Sequence, residues 1–382
     1  MEPKVSNVAT AVDLFSGCGG FSYGLLQAGF NVRLGIDNNA ASIVTFDFNH
    51  SHVGARGTTA DIRTLSGARI ADMAGLEGRQ LDLLVGGPPC QPFSIVGKRQ
   101  GLADDRGDLV FEFVRLLEEL APKAFVFENV ANFARFGGGT IASEMIERME
   151  RAGYAVSAEV INAAHFGVPQ LRKRFFVLGI KGTEHPGIPT FSHGPHRLFG
   201  QLPLRTCRDV LDDLPDVDTV EAAGIWNHEG TSHSRAMLTT FQHLAPGTRD
   251  RKSYHDRLHP DRPSYTLRAG NGNFSPLRPV HYVFDRVISV RESARIQAFP
   301  DHFTWPESVS RLQQYRQVGN AVPPLLAAQL GRHIAERLKL PLDSSRFGVA
   351  PPHDDAAPRI SPIERAAQRQ RYIRGASVGR SA

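Results

Sequence analysis

Four side chains in this 382-residue chain stand where they could do chemistry: one thiol, one carboxylate and two guanidinium groups. The thiol is Cys90, inside Gly86-Gly87-Pro88-Pro89-Cys90-Gln91-Pro92-Phe93-Ser94. Two glycines and two prolines stop the apolar run Leu81–Val85 abruptly and stiffen the chain beyond it. Cys90 is either a small buried hydrophobe, the usual fate of an unpaired cysteine, or an exposed thiol ready to react. A rigid, proline-flanked loop is a poor place to hide a core side chain. The carboxylate, Glu128, ends the apolar run Ala124–Phe127. It reads as a helix cap or as a group held for chemistry at a strand's carboxyl end. The guanidinium groups are Arg172 and Arg174. Alternation along Gln170-Leu171-Arg172-Lys173-Arg174 places Gln170, Arg172 and Arg174 on one face, and the meaning of that basic run depends on what lies opposite.

These groups need a frame. Ala11–Phe15 reads as a first strand, Ser16-Gly17-Cys18-Gly19-Gly20-Phe21 as a turn, and the stretch from Ser22 to Gly29 as a helix closed by glycine. The turn is either merely tight or a cofactor loop, since Ser22 stands where a full dinucleotide fingerprint has its third glycine. Val32–Ile36 is a second strand ending at Asp37, about 20 residues beyond Gly17, a spacing suited to the ribose hydroxyls of a nucleoside. Asp61-Ile62 offers a further carboxylate, suited to an adenine amino group or simply solvated. Helices are expected over Leu109–Leu120 and Ile141–Ala152, and strands over Leu81–Val85, Ala124–Phe127, Ala155–Ile161 and Phe175–Leu178. Residues 1–180 thus read as an α/β, Rossmann-like, doubly wound sheet. Between Ser94 and Gly107 a polar stretch with Lys98 and Arg99 reads as a lid or binding loop, or as a solvated connector. From 181 to 286 the βα alternation stops, as in a second, smaller and irregular domain. There Arg262-Pro263-Ser264-Tyr265-Thr266-Leu267 could track a phosphate backbone or pack two domains together. Residues 287–340 are expected to return to the first domain, with a helix from Pro324 to Leu338. Residues 341–382 read as a disordered basic tail.

Composition narrows the classes. With 44 Lys and Arg against 39 Asp and Glu, the net charge of +5 leans toward an anionic partner. The three cysteines, Cys18, Cys90 and Cys207, are far apart and odd in number. They offer neither a disulfide framework nor zinc spacing, so no metal is expected and a reducing interior suits the chain. No apolar run reaches membrane-spanning length and no signal-peptide order opens the chain, so a cytoplasmic protein is expected.

DLFSGCGGF, GGPPCQPFS, ENV, QLRKR, RPSYTL and QVGNAVPP occur in that order. The series resembles the bacterial DNA (cytosine-5) methyltransferase family from Ala11 to about Leu338. The resemblance implies that Phe15, Gly17, Gly19, Asp37, Asp61, Ile62, Pro88, Leu109, Asn320 and Ala321 surround S-adenosyl-L-methionine. It implies that Cys90 is the nucleophile and that Glu128, Arg172 and Arg174 meet a cytosine flipped out of double-stranded DNA. Ser94, Lys98, Arg99, Gln170, Arg262 and Thr266 are then the expected DNA contacts, and 181–286 the target-recognition domain. A monomer near the nucleoid is expected, with a restriction endonuclease, where one exists, acting separately. An RNA (tRNA) cytosine-5 methyltransferase of the same fold is the nearest alternative, although the long 181–286 insertion favours duplex DNA. A DNA-binding regulator with a decayed site is another, and intact Cys90 and Glu128 argue against it.

Overall fold

The computed structural model describes residues 8–89, 108–194, 200–270 and 275–346. Strands β1 (Thr10–Leu14), β2 (Asn31–Asp37), β3 (Arg56–Thr59), β4 (Leu83–Gly86) and β5 (Ala124–Val130) run parallel. Helices α1 (Gly20–Ala28), α2 (Ala40–His50), α3 (Gly67–Met73) and α4 (Asp108–Leu120) connect them. After α5 (Thr140–Arg151) come β6 (Tyr154–Asn162), the two-residue β7 (Gln170–Leu171) and β8 (Lys173–Lys181). The sheet order is β3-β2-β1-β4-β5-β8-β6, with β8 antiparallel to both neighbours. Every residue of β1 is buried, as expected of a central strand covered on both faces. The strand order reverses between β1 and β4, and ligands of open α/β sheets bind beside such a switch point. The Rossmann-like reading holds, with one strand reversed in an otherwise parallel sheet.

The second lobe is short in regular structure. It contains β9 (His193–Gly194), β10 (Leu202–Pro203), α6 (Arg208–Leu211), α7 (Arg235–His243), β11 (Asp256–Arg257), β12 (Ser264–Tyr265) and β13 (Pro279–Val280). Next along the chain are α8 (Val290–Ile296), α9 (Arg311–Asn320) and α10 (Pro324–Leu338). Ala294, Phe299, Phe303, Trp305 and Val318 lie in one buried cluster with Cys18 and Tyr23 on one side and Cys207, Leu258 and Tyr282 on the other. Helix α10 packs on α1 against the face of the sheet. The contact is close because Gly24 has no side chain: a Cβ there would lie 2.3 Å from the Pro324 carbonyl oxygen.

The first residues of the expected tail, 341–346, run along the large lobe. The Ala9 N–H donates to the Pro341 carbonyl at 2.8 Å and the Asp343 N–H to that of Gly29 at 2.9 Å, so residues 341–346 extend the large lobe. The remainder, 347–382, lies outside the described residues. Among the described residues no helix is long and apolar enough to cross a membrane.

Candidate active site

A cleft of about 700 Å³ opens at the carboxyl ends of β1 and β4. The turn after β1 forms its floor in left-handed backbone, with φ 60° at Phe15, 54° at Gly17 and 92° at Gly19. Phe15 is not a glycine, and such strain persists only where surrounding contacts impose it, often at binding sites. Those contacts are visible: the Ser16 N–H donates to the Ile36 carbonyl and the Gly17 N–H to Asp37 Oδ2, both at 2.9 Å. Asp37 Oδ1 accepts from the Asn39 N–H at 2.8 Å, and burial raises the carboxyl above its ordinary pKa.

Phe15, Gly17, Asp37, Asp61 and Ile62 line this cleft, as do Pro88, Leu109, Asn320 and Ala321. Gly19 does not. It sits behind the turn, where a Cβ would strike the His50 ring at 2.3 Å. The Asp61 carboxylate is already engaged by Arg63, at 2.6 Å, while its side chain keeps 37% exposure.

Glu128 stands near the end of β5, buried, with Oε1 3.1 Å from Arg174 Nε. Burial raises its carboxyl above the ordinary value, and the charges of Arg174 and Arg172 oppose that rise. Gly87 is where the loop after β4 passes the carboxyl, and a Cβ there would lie 3.0 Å from Glu128 Oε2. Asn129 Nδ2 donates to the Pro88 carbonyl at 3.1 Å, tying that loop to β5. The chain is thus led past Glu128 to Pro89, the last described residue before Cys90. Cys90, Ser94, Lys98 and Arg99 themselves lie outside the described residues.

The family model for C-5 cytosine-specific DNA methylases matches residues 9–336. The chain belongs to this family. It is an enzyme, a DNA cytosine-5 methyltransferase, and methyltransferases of this family use S-adenosyl-L-methionine in general. M1.HphI, a type II methyltransferase of Haemophilus parahaemolyticus, is 36% identical over 341 residues, covering 85% of this chain and 86% of that one. M.XorII of Xanthomonas oryzae pv. oryzae, also a type II methyltransferase, is 31% identical over 376 residues, covering 86% and 85%. The crystal structure of the S. pombe Dnmt2 methyltransferase shares the fold, with a TM-score of 0.65 at 20% identity over 86% of this chain and 99% of that one.

Within this methyltransferase the two arginines differ. Arg174 holds Glu128, but Arg172 is buried and its Nη atoms donate elsewhere: to the carbonyls of Gly319 at 3.0 Å, Leu267 at 3.4 Å and Asn320 at 3.3 Å. Its Nε alone is left buried without a partner at the cleft. Arg172 therefore links α9 and Leu267 to the cleft it lines, while its charge also acts on Glu128.

Gln170, expected at the DNA, is instead fully buried, donating to Gln297 Oε1 and accepting from the Leu267 N–H at 3.0 Å. A side chain so enclosed has no surface to offer a duplex. Thr266 donates its hydroxyl to the Leu171 carbonyl at 2.7 Å, beside the β7–β12 pairing, while Arg262 is exposed.

Three further groups line the cleft. Asp13, the one charged residue of β1, accepts from the Ser22 hydroxyl at 2.7 Å and is pushed up to about 7 by burial. Gln313 and Arg316 stand on α9 before Asn320, and the Arg316 Nε is buried without a partner. Their spacing, one helical turn apart and one turn from Asn320, is the signal that could have found them.

Proposed function

We propose that Cys90 adds to carbon 6 of a flipped-out cytosine, so that carbon 5 becomes nucleophilic enough to accept a methyl group. The observation that carries this reading is Glu128, buried beside Gly87 and held by Arg174. A thiolate forms the bond to carbon 6, and the ring's electrons move toward nitrogen 3 and the carbonyl oxygen. Glu128, whose neutral form burial favours, donates at nitrogen 3. Arg174 orients that carboxyl and stabilises charge on the oxygen. After methylation a base removes the carbon 5 proton, and the sulfur leaves as the ring regains its double bond. The target cytosine is stacked in duplex DNA, so reaching it costs a few kcal/mol of unstacking.

The cleft suits S-adenosyl-L-methionine in size and polarity. Asp37 and Asp61 would hold the adenosine, and the amides of the left-handed turn its methionine end. The cosubstrate supplies an electrophilic methyl group. Residues 181–286 carry the DNA-reading loops in this proposal, with Arg262 and Thr266 among the contacts. The type II methyltransferases it resembles support a place in restriction–modification; a cytoplasmic monomer acting apart from any endonuclease is part of the same proposal.

The test is trapping. With a duplex in which 5-fluorocytosine replaces the target cytosine, plus S-adenosyl-L-methionine, the protein should stay covalently attached to DNA. Cys90→Ser should bind the duplex without attaching. Attachment by the serine variant would overturn the proposal.

A further inference from the structure

We propose that a second, smaller cavity in the 181–286 lobe seats one phosphodiester of the DNA backbone, gripped by Arg249, Arg268 and Arg278. The cavity encloses about 240 Å³. Three guanidinium groups line it against one carboxylate, Asp256. A small volume with that surplus of positive charge is matched by a compact anion, and a guanidinium's fork fits phosphate oxygens two at a time.

Two of the arginines have a visible support and the third an anchored backbone. Arg249 donates through Nε and Nη2 to the two oxygens of Asp256, at 2.6 and 3.0 Å, which fixes the plane of its guanidinium. Arg278 lies over the Tyr254 ring, 5.6 Å from its centroid. The backbone of Arg268 is pressed against α9: a Cβ on Gly319 would lie 2.7 Å from the Arg268 carbonyl carbon. Its side chain remains exposed.

The position of the cavity argues for the backbone of the reacting strand. Leu171 lines the small cavity, and the next residue, Arg172, lines the large cleft. Likewise Thr266 and Arg268 line the small cavity and Gly270 the large one. The two hollows share a wall about one chain thick. A nucleotide turned about its backbone into the large cleft leaves its flanking phosphates at the rim. A base edge would call for a single bidentate partner rather than three converging cations.

This inference rests on the reading that the second lobe faces DNA, so the test separates the two. The probes are a fluorescent duplex carrying the enzyme's own methylated sequence, located by bisulfite sequencing, and a scrambled duplex of equal length. Affinity of the full-length protein is measured from 50 to 200 mM NaCl. In Arg268→Gln/Arg278→Gln the slope of log affinity against log salt should become shallower by about one, for the one phosphate no longer neutralised. The loss should be equal on both duplexes, and Arg268→Lys/Arg278→Lys should keep the steeper slope. Calorimetric binding of S-adenosyl-L-methionine checks that the variants are folded. An unchanged slope would overturn the proposal, as would a loss confined to the methylated sequence, which would mean base reading. A neutral methylphosphonate beside the target cytosine should weaken the wild type and leave the glutamine variant unaffected. A wild type indifferent to every such replacement would refute the phosphate seat, while continued methylation of the duplex would leave the assignment of the lobe standing.

Discussion

Glu128 concentrates the chemistry of the cleft in one proton. Burial favours its neutral form, and Arg174 at 3.1 Å opposes that preference without removing it. Glu128→Ala should lower kcat by about 10²–10³, the usual cost of a lost charge-stabilising donor. Glu128→Gln still presents an N–H and should retain part of the rate. It should also lose the fall in kcat expected of the parent as pH rises through the elevated Glu128 pKa. Steady-state rates across pH check both, and a Gln variant with the parent's alkaline limb would remove Glu128 from the reaction. Asp13 is the second buried acid, raised from 3.8 to about 7. A raised acid keeps its proton in the folded state, so the stability it contributes is full below pH 4 and is lost as pH climbs to about 7. That window is worth up to about 4 kcal/mol. Asp13→Asn should flatten the decline in denaturant midpoint between pH 4 and pH 7, and an equally steep decline would show that other groups cause it.

Among the elements, packing against glycine sets the sharpest expectation. In an exposed helix Gly→Ala gains up to about 1 kcal/mol. Gly24→Ala should do the reverse, because the new methyl would lie 2.3 Å from the Pro324 carbonyl oxygen and 2.5 Å from Ala327 Cβ. A loss of about 1–3 kcal/mol is expected, read as a lower Tm together with weaker S-adenosyl-L-methionine binding. The elements differ in how plainly the sequence displays them. β1, β2 and β4 read clearly because buried parallel strands are short apolar runs. α10 begins at Pro324, a residue suited to a first helical turn. The edge strand β3, Arg-Gly-Thr-Thr, has no apolar pattern to read. α9 was hidden for another reason: much of its buried face is glutamine, whose amide groups donate from Gln314 to the Val309 carbonyl and from Gln317 to that of Ala41. β5 runs on through Glu128 because antiparallel β8 pairs with it there, a partner that local spacing does not reveal. The cleft residues were legible by resemblance. The burial of Gln170 and the carbonyl contacts of Arg172 were not, since both depend on chain some hundred residues away.

At the scale of the molecule, the two lobes share an apolar cluster that includes Tyr23, Leu258 and Trp305, and buried polar groups lie beside it. Gln170 bridges Gln297 and the Leu267 N–H, and Arg172 reaches the carbonyls of Leu267 and Gly319. Gln170→Ala leaves the partners of the glutamine buried and unmet, at about 1–3 kcal/mol. Its KM for DNA should rise while its affinity for S-adenosyl-L-methionine holds, because the β1 turn is untouched. Equal loss of both would make the glutamine a support of the whole fold. The hydrogen bonds from Ala9 to Pro341 and from Asp343 to Gly29 carry a temporal consequence. Strand β1 is thus braced by residues that follow α10 in the chain, far from it in order of synthesis. A product released before residue 324 would lack both this brace and the α1–α10 packing, and little methylation is expected of it.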